Sequence, residues 1–146
     1  IALLRIAEGS NYAGKAINIT KTTGAHALSY FFTEKYNIPH GHSVAIFLPS
    51  FFSYNYMVED NNCIDKRGSM FVKKKISEIT NLLGLNSPEL VELELKKFLN
   101  KIGINKSFDA LNISNDMVVE SLKMANVERM KNNPRLFLKE DFLRFL

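Results

Sequence analysis

Apolar residues in the second half of this chain return every three or four positions, and almost nowhere does the sequence alternate with a period of two. Val72, Ile76, Ile79 and Leu83 form one such stripe; Val91, Leu95, Phe98 and Ile102 form another. That spacing puts side chains on one face of an α-helix, whereas a half-buried strand needs every second residue. The punctuation agrees. Gly84 and Gly103 follow the two stripes as helix stops, and Ser87-Pro88-Glu89 opens the second with an N-cap, a proline and an acid. Ser114-Asn115-Asp116 caps a further helix with Val118, Leu122 and Ala125 inward, and Asn132-Asn133-Pro134-Arg135 breaks it. Ser107 to Leu111 reads as a short helix, and Leu138 to Leu146 as the last one. The expected fold is all-α, a multi-helix bundle without internal repeats.

The first half is less regular. Ile1 to Ala7 reads as the last turns of a helix stopped near Gly9-Ser10, and a second helix is expected from about Asn11 to Tyr36. Its small residues, Ala13, Gly14, Ala16, Gly24, Ala25 and Ala27, predict close packing against other backbone. Asn37-Ile38-Pro39 ends it, because a residue before proline avoids the helical region. A third helix starts at Pro39-His40-Gly41 and runs through Val44, Ala45, Phe47 and Leu48, with Pro49 kinking it or ending its first half. The aromatic run Phe51 to Tyr56 follows, then a polar loop from Asn61 to Gly68. The opening Ile1-Ala2-Leu3-Leu4 has no methionine and no signal-peptide pattern, and it reads as the middle of a helix. The chain is therefore expected to be a piece of a longer protein.

A length of 146 residues is one domain's worth, and 46% hydrophobic with 23% charged residues is a globular composition rather than a disordered one. No apolar run approaches the roughly 18 residues that span a bilayer, since Pro49 and Ser50 interrupt the densest stretch. A net charge of +4 permits anionic partners, but the one compact cluster, Lys73-Lys74-Lys75, leads into a helical stripe and reads as a solvated face, not a nucleic-acid patch. The single cysteine, Cys63, excludes an internal disulfide and a zinc cluster, and fits a reducing, cytoplasmic setting.

The candidate chemistry sits in one place. All three histidines, His26, His40 and His42, fall within seventeen positions, around a Pro-His-Gly-His turn in an apolar stretch. Histidine changes charge near neutral pH and binds metals as the neutral ring. The structural alternative is a helix end with capping histidines.

The wording Lys21-Thr-Thr-Gly-Ala-His26-Ala-Leu-Ser-Tyr30, followed by Ile38-Pro-His40-Gly-His42-Ser-Val-Ala45 and Leu48-Pro49, resembles the iron-containing (group III) alcohol dehydrogenase family. Asn133-Pro134-Arg135 before Glu140-Asp141 is similar to that family's C-terminal end, and the histidine motifs are similar to the branch that includes phosphonoacetaldehyde reductases. The resemblance implies two domains: an N-terminal α/β domain holding NAD(P), and a C-terminal helical domain of dehydroquinate synthase-like type supplying much of a divalent metal site, iron or zinc. Residues 1–146 would be most of the helical half, and the absence of a glycine-rich phosphate turn agrees. It also implies an alcohol or aldehyde as the small-molecule substrate, with further metal ligands, an aspartate and a histidine, upstream of residue 1. A homodimer is expected, with no nucleic-acid or membrane partner.

Carried over by position, His40 matches a metal-ligand histidine and His26 an active-site histidine that often lies four residues after another ligand. That earlier position is Thr22 here, and threonine is a poor ligand for iron or zinc. Either His26 takes over as ligand, or the metal is held more weakly, or this branch works without a metal in the usual place. The first is preferred, because His26 and His40 flank a turn that can bring them together. His26 and His42 are the candidate proton-transfer groups. Gly24 and Gly41 would allow close approach of backbone and ligand.

Lys21, Thr22 and Asn18 are the candidate substrate contacts: Lys21 is a cation in a small, apolar segment, and Asn18 and Thr22 lie four apart on one expected helix face. Alone, residues 1–146 are expected to lack dehydrogenase activity and to bind metal weakly. Two rival readings stand beside this one. A stand-alone helical binding module would use the positive charge and the Phe51–Tyr56 run as its contact surface. The dehydroquinate-synthase and glycerol-dehydrogenase branch shares the helical metal domain, but the Lys-Thr-Thr and Pro-His-Gly-His wording argues against it.

Overall fold

The computed structural model describes residues 1–104, 111–125, 127–138 and 141. Seven helices are found among them: α1 (Ala2–Ile19), α2 (Gly24–Tyr36), α3 (His40–Tyr56), α4 (Ser69–Leu82), α5 (Pro88–Lys101), α6 (Asn115–Lys123) and α7 (Val127–Met130). No strand forms among the described residues; a lone antiparallel bridge joins Cys63 to Arg135. The short helix expected at 107–111 and the last helix expected at 138–146 fall largely outside the described residues. None of the described helices is long and apolar enough to cross a membrane.

The local signals in the second half act as read. Gly84 and Gly103 adopt φ of +73° and +74°, the left-handed conformation that closes a helix, and Pro88 sits in the first turn of α5 behind Ser87. Val72 and Ile76 of α4 are buried, as is Val91 of α5. The lower parts of both stripes are not: Ile79, Leu83, Phe98 and Ile102 are each close to half exposed. Helical spacing gives the face but not how far along it a neighbour reaches.

The first half departs from expectation in two places. Gly9 and Ser10 do not stop α1, since together they cost a helix interior only about 1–2 kcal/mol. The break comes instead at Thr20-Lys21-Thr22-Thr23, which divides the long helix expected from Asn11 to Tyr36. Thr20 turns extended, and its hydroxyl donates back to the Ala16 carbonyl at 3.0 Å. Side-chain bonding of this kind competes with the helix ladder, and threonine has a low helix propensity at each of the three positions it fills in this segment. Asn18 and Thr22 therefore do not share a helix face. The small residues divide in the same way. Gly24, Ala25 and Ala27 are buried, and a Cβ on Gly24 would lie 2.1 Å from Phe51 Cε1, so only glycine lets α2 meet α3 there. Gly14 and Gly41 have open space, so the close approach expected of Gly41 is not seen, and that of Gly24 is to Phe51.

Helices α2 and α3 form the central pair. Asn37, in the left-handed conformation at φ 53°, ends α2, and the Ile38 N–H donates back to the Phe32 carbonyl at 3.4 Å, a Schellman closure with Ile38 buried. The chain then folds back, and contacts step in opposite directions along the two helices: Thr33 with Ser43, Phe32 with Phe47, Gly24 with Phe51. Pro49 neither ends nor divides α3, which continues to Tyr56. Phe47 before it and Phe51 and Tyr54 after it are all buried in the main core, and that burial outweighs the roughly 3 kcal/mol cost of an interior proline. Asn133, fully buried, exchanges two side-chain hydrogen bonds with Asn55 at 2.8 and 3.1 Å and pins the 132–135 segment to α3.

Candidate functional site

His26 is the third residue of α2 and His40 the first of α3. The chain reversal between them lays the His40 ring along one face of α2. Its Nε2 comes within 3.2 Å of His26 Nδ1, and its Nδ1 within 3.4 Å of Ser29 Oγ. Ser29 Oγ in turn donates to the His26 carbonyl at 2.9 Å. One consistent assignment has His40 donating from Nδ1 to Ser29 and offering its Nε2 lone pair to His26. Tyr30 stacks on the His40 ring with centroids 5.1 Å apart, and the Arg129 guanidinium covers Tyr30 at 4.9 Å. Arg129 Nη1 donates to Thr22 Oγ1 at 2.6 Å, and Asn132 donates to the Thr22 carbonyl at 3.4 Å.

Burial, then the neighbouring His40 and then Arg129, hold the His26 pKa below its ordinary 6.5, so the ring is neutral at neutral pH. An unfolded chain takes up this proton first as pH falls through about 6.5. Stability of the metal-free protein therefore drops on acidification below that point and levels off once folded His26 is also protonated. The melting temperature is expected to fall less between about pH 7.5 and pH 5 in His26→Gln than in the parent. Equal falls would remove His26 as the cause.

Two nitrogens that ligate one ion at about 2.0–2.1 Å each lie no more than about 4.2 Å apart. The His26–His40 separation of 3.2 Å meets that limit, and the Ser29 contact is the outer-shell support such ligands carry. Among the described residues no third histidine, cysteine, aspartate or glutamate completes a cluster with them. Thr22 is engaged by a guanidinium, which makes its oxygen a poor partner for a second cation.

The profile of the Fe-containing alcohol dehydrogenase family, C-terminal part, matches residues 4–146. This chain belongs to the iron-containing alcohol dehydrogenase family. Two curated members of known name are similar to it. The phosphonoacetaldehyde reductase of Streptomyces viridochromogenes is 27% identical over 145 residues, 99% of this chain and 36% of that protein. Long-chain-alcohol dehydrogenase 1 of Geobacillus thermodenitrificans is 30% identical over 138 residues, 89% of this chain and 31% of that protein. The chain thus spans about a third of the length of these relatives. No solved structure matches it. The all-α fold is that of the family's C-terminal part, and the family is one of oxidoreductases that in general use a metal and NAD(P).

The other sequence candidates separate around this pair. Lys21 is exposed and lines two cavities, one of about 660 Å³ and one of about 380 Å³. Asn18 lies exposed in the last turn of α1. His42, two positions beyond His40 on α3, points to another side of the helix, and its buried Nε2 has no hydrogen-bond partner among the described residues. Ser29, Tyr30 and Arg129 were not foreseen as site residues. The first two sit three and four positions after His26, a helical spacing that could have exposed them. Arg129, 107 positions from Thr22, left no signal of its own.

Proposed function

We propose that residues 1–146 are a single helical domain, the C-terminal part of a longer two-domain, metal-dependent and NAD(P)-linked enzyme that interconverts an alcohol and an aldehyde, the aldehyde carrying a phosphonate group. The observation that carries this reading is the approach of His26 Nδ1 to within 3.2 Å of His40 Nε2 across a chain reversal. The metal would supply Lewis-acid polarisation of the substrate oxygen, and the nicotinamide the hydride. His26 and His40 would hold the ion through neutral rings, with Ser29 fixing the His40 tautomer and Tyr30 packing its face. A cation there would replace the hydrogen bond between the two rings, each neutral ring keeping its one proton on the nitrogen that faces away from the ion, and binding would weaken on acidification as protons compete for the two nitrogens.

The domain assignment draws support from α1. It buries no residue, and Leu3, Leu4, Ile6 and Ile19 stand more than two-thirds exposed along it. An apolar helix left bare in this way is what a neighbouring domain covers. The stand-alone binding module loses its contact surface, because Phe51 and Tyr54 of the aromatic run lie in the core. The phosphonate draws support from the name of the Streptomyces relative and from Lys21 at the edge of the site. Lys21→Met in the full-length enzyme is expected to raise KM for anionic aldehydes about tenfold and to leave neutral aldehydes unchanged. An equal rise for both would remove Lys21 from substrate recognition.

A further inference from the structure

A cavity of about 380 Å³ is lined by Lys21, Thr22, Arg129, Asn132 and Glu128, among others. Two of these are cations that approach from opposite ends of the chain. Lys21 belongs to the non-helical Thr20–Thr23 segment and Arg129 to the short helix α7. The Arg129 fork is held on two sides, by the 2.6 Å bond to Thr22 Oγ1 and by the Tyr30 ring beneath it. Among the described residues lining this cavity Glu128 is the carboxylate, and it is exposed, so water screens it more than the half-buried Arg129. A guanidinium fixed in plane binds tetrahedral oxyanions with paired N–H bonds, and a lysine beside it adds a mobile point charge. Tyr30 packs against both Arg129 and the His40 ring, which links this cation to the histidine pair.

We infer that Lys21 and Arg129 together form the seat of the substrate's dianionic headgroup, and that the two cations acting together favour a phosphonate or phosphate over a carboxylate. The inference rests on the reductase reading for the identity of the substrate, but the anion seat is tested separately from turnover. A dianion gains from both cations and from the bidentate fork. A carboxylate has one charge fewer and gains less from the second cation.

The test is calorimetric titration of the full-length protein with methylphosphonate and with acetate at mildly alkaline pH, alongside steady-state kinetics. Arg129→Gln is expected to weaken methylphosphonate about tenfold or more and acetate by no more than about threefold. Arg129→Lys should recover part of the methylphosphonate affinity, and Lys21→Met should behave as Arg129→Gln does. Equal weakening of both anions, or no change in either, overturns the inference. Should Arg129→Gln fail to fold, the exposed Lys21 carries the test, and methylphosphonate affinity unchanged in Lys21→Met overturns it as well. The anion could come from the substrate or from the nucleotide cofactor, and KM separates them. A rise confined to the aldehyde supports the inference, whereas a rise confined to the nicotinamide cofactor overturns it. Selective binding of methylphosphonate without turnover of any aldehyde leaves the seat standing and removes the reductase reading. Turnover without anion preference does the reverse.

Discussion

Replacing His40 with alanine is expected to strip the divalent metal from the full-length enzyme and to lower aldehyde turnover about a thousandfold or more. The size follows from the position of the ring. His40 Nε2 is one of the two nitrogens that meet 3.2 Å apart, and its other nitrogen is the one that Ser29 steadies. Alanine removes the ligand, the stacking partner of Tyr30 and the Ser29 contact together. Several kilocalories per mole of charge stabilisation at the substrate oxygen go with the ion, which is three orders of magnitude or more in rate. Elemental analysis of parent and variant, purified side by side, checks the metal, and turnover with saturating nicotinamide checks the rate. Full metal content in His40→Ala would detach the histidine pair from the metal site and take the proposed mechanism with it.

The second large effect is on stability. Phe32→Ala is expected to destabilise the protein by about 3–5 kcal/mol, read as a shift in denaturant midpoint. Phe32 is 1% exposed and packs against other rings, among them Phe31 at 5.2 Å, Phe47 at 5.5 Å and Tyr36 at 6.1 Å. Its carbonyl also accepts the closing bond from Ile38. Truncation opens a cavity at the centre of the α2–α3 pair, the same pair that sets the distance between His26 and His40, so metal affinity should fall along with stability. Leu4→Ala is the matching control when both variants are measured in residues 1–146 alone, where no neighbouring domain covers α1. Leu4 is as apolar but 70% exposed, and its loss should stay within about 0.5 kcal/mol. A loss below about 1 kcal/mol at Phe32 would mean that the two helices are held together elsewhere.

The all-α architecture was legible because each helix carries its own instructions. The Val72 and Val91 stripes, the proline at the start of α5, and the glycines at 84 and 103 act within a turn or two of where they stand. The same local reading misplaced the boundaries of the first half. Gly9 and Ser10 looked like a stop, yet their cost is small against an otherwise good helix, while the break falls at residues 20–23, where the Thr20 hydroxyl bonds back to the Ala16 carbonyl. Pro49 looked like an end, and burial of the aromatic residues on either side carried the helix through.

The site divides along the same line. His26 and His40 stand out by residue type, and the turn between them brings them together over fourteen positions, so the pair on which the proposed function rests stood out in the sequence. Asn18 and Thr22 were paired on a helix that does not exist, and His42 points away from the pair because a step of two along a helix changes its face.

From the order of residues alone came the helical class, the family's motifs and the two imidazoles at its centre, since helical spacing and capping are read between neighbours in the chain. Only the folded arrangement brought Arg129 across 107 positions to Thr22, laid it over Tyr30, and gave the cavity at Thr22 two cations. Such meetings are set by how the helices pack against one another, and helix packing has no period in the sequence.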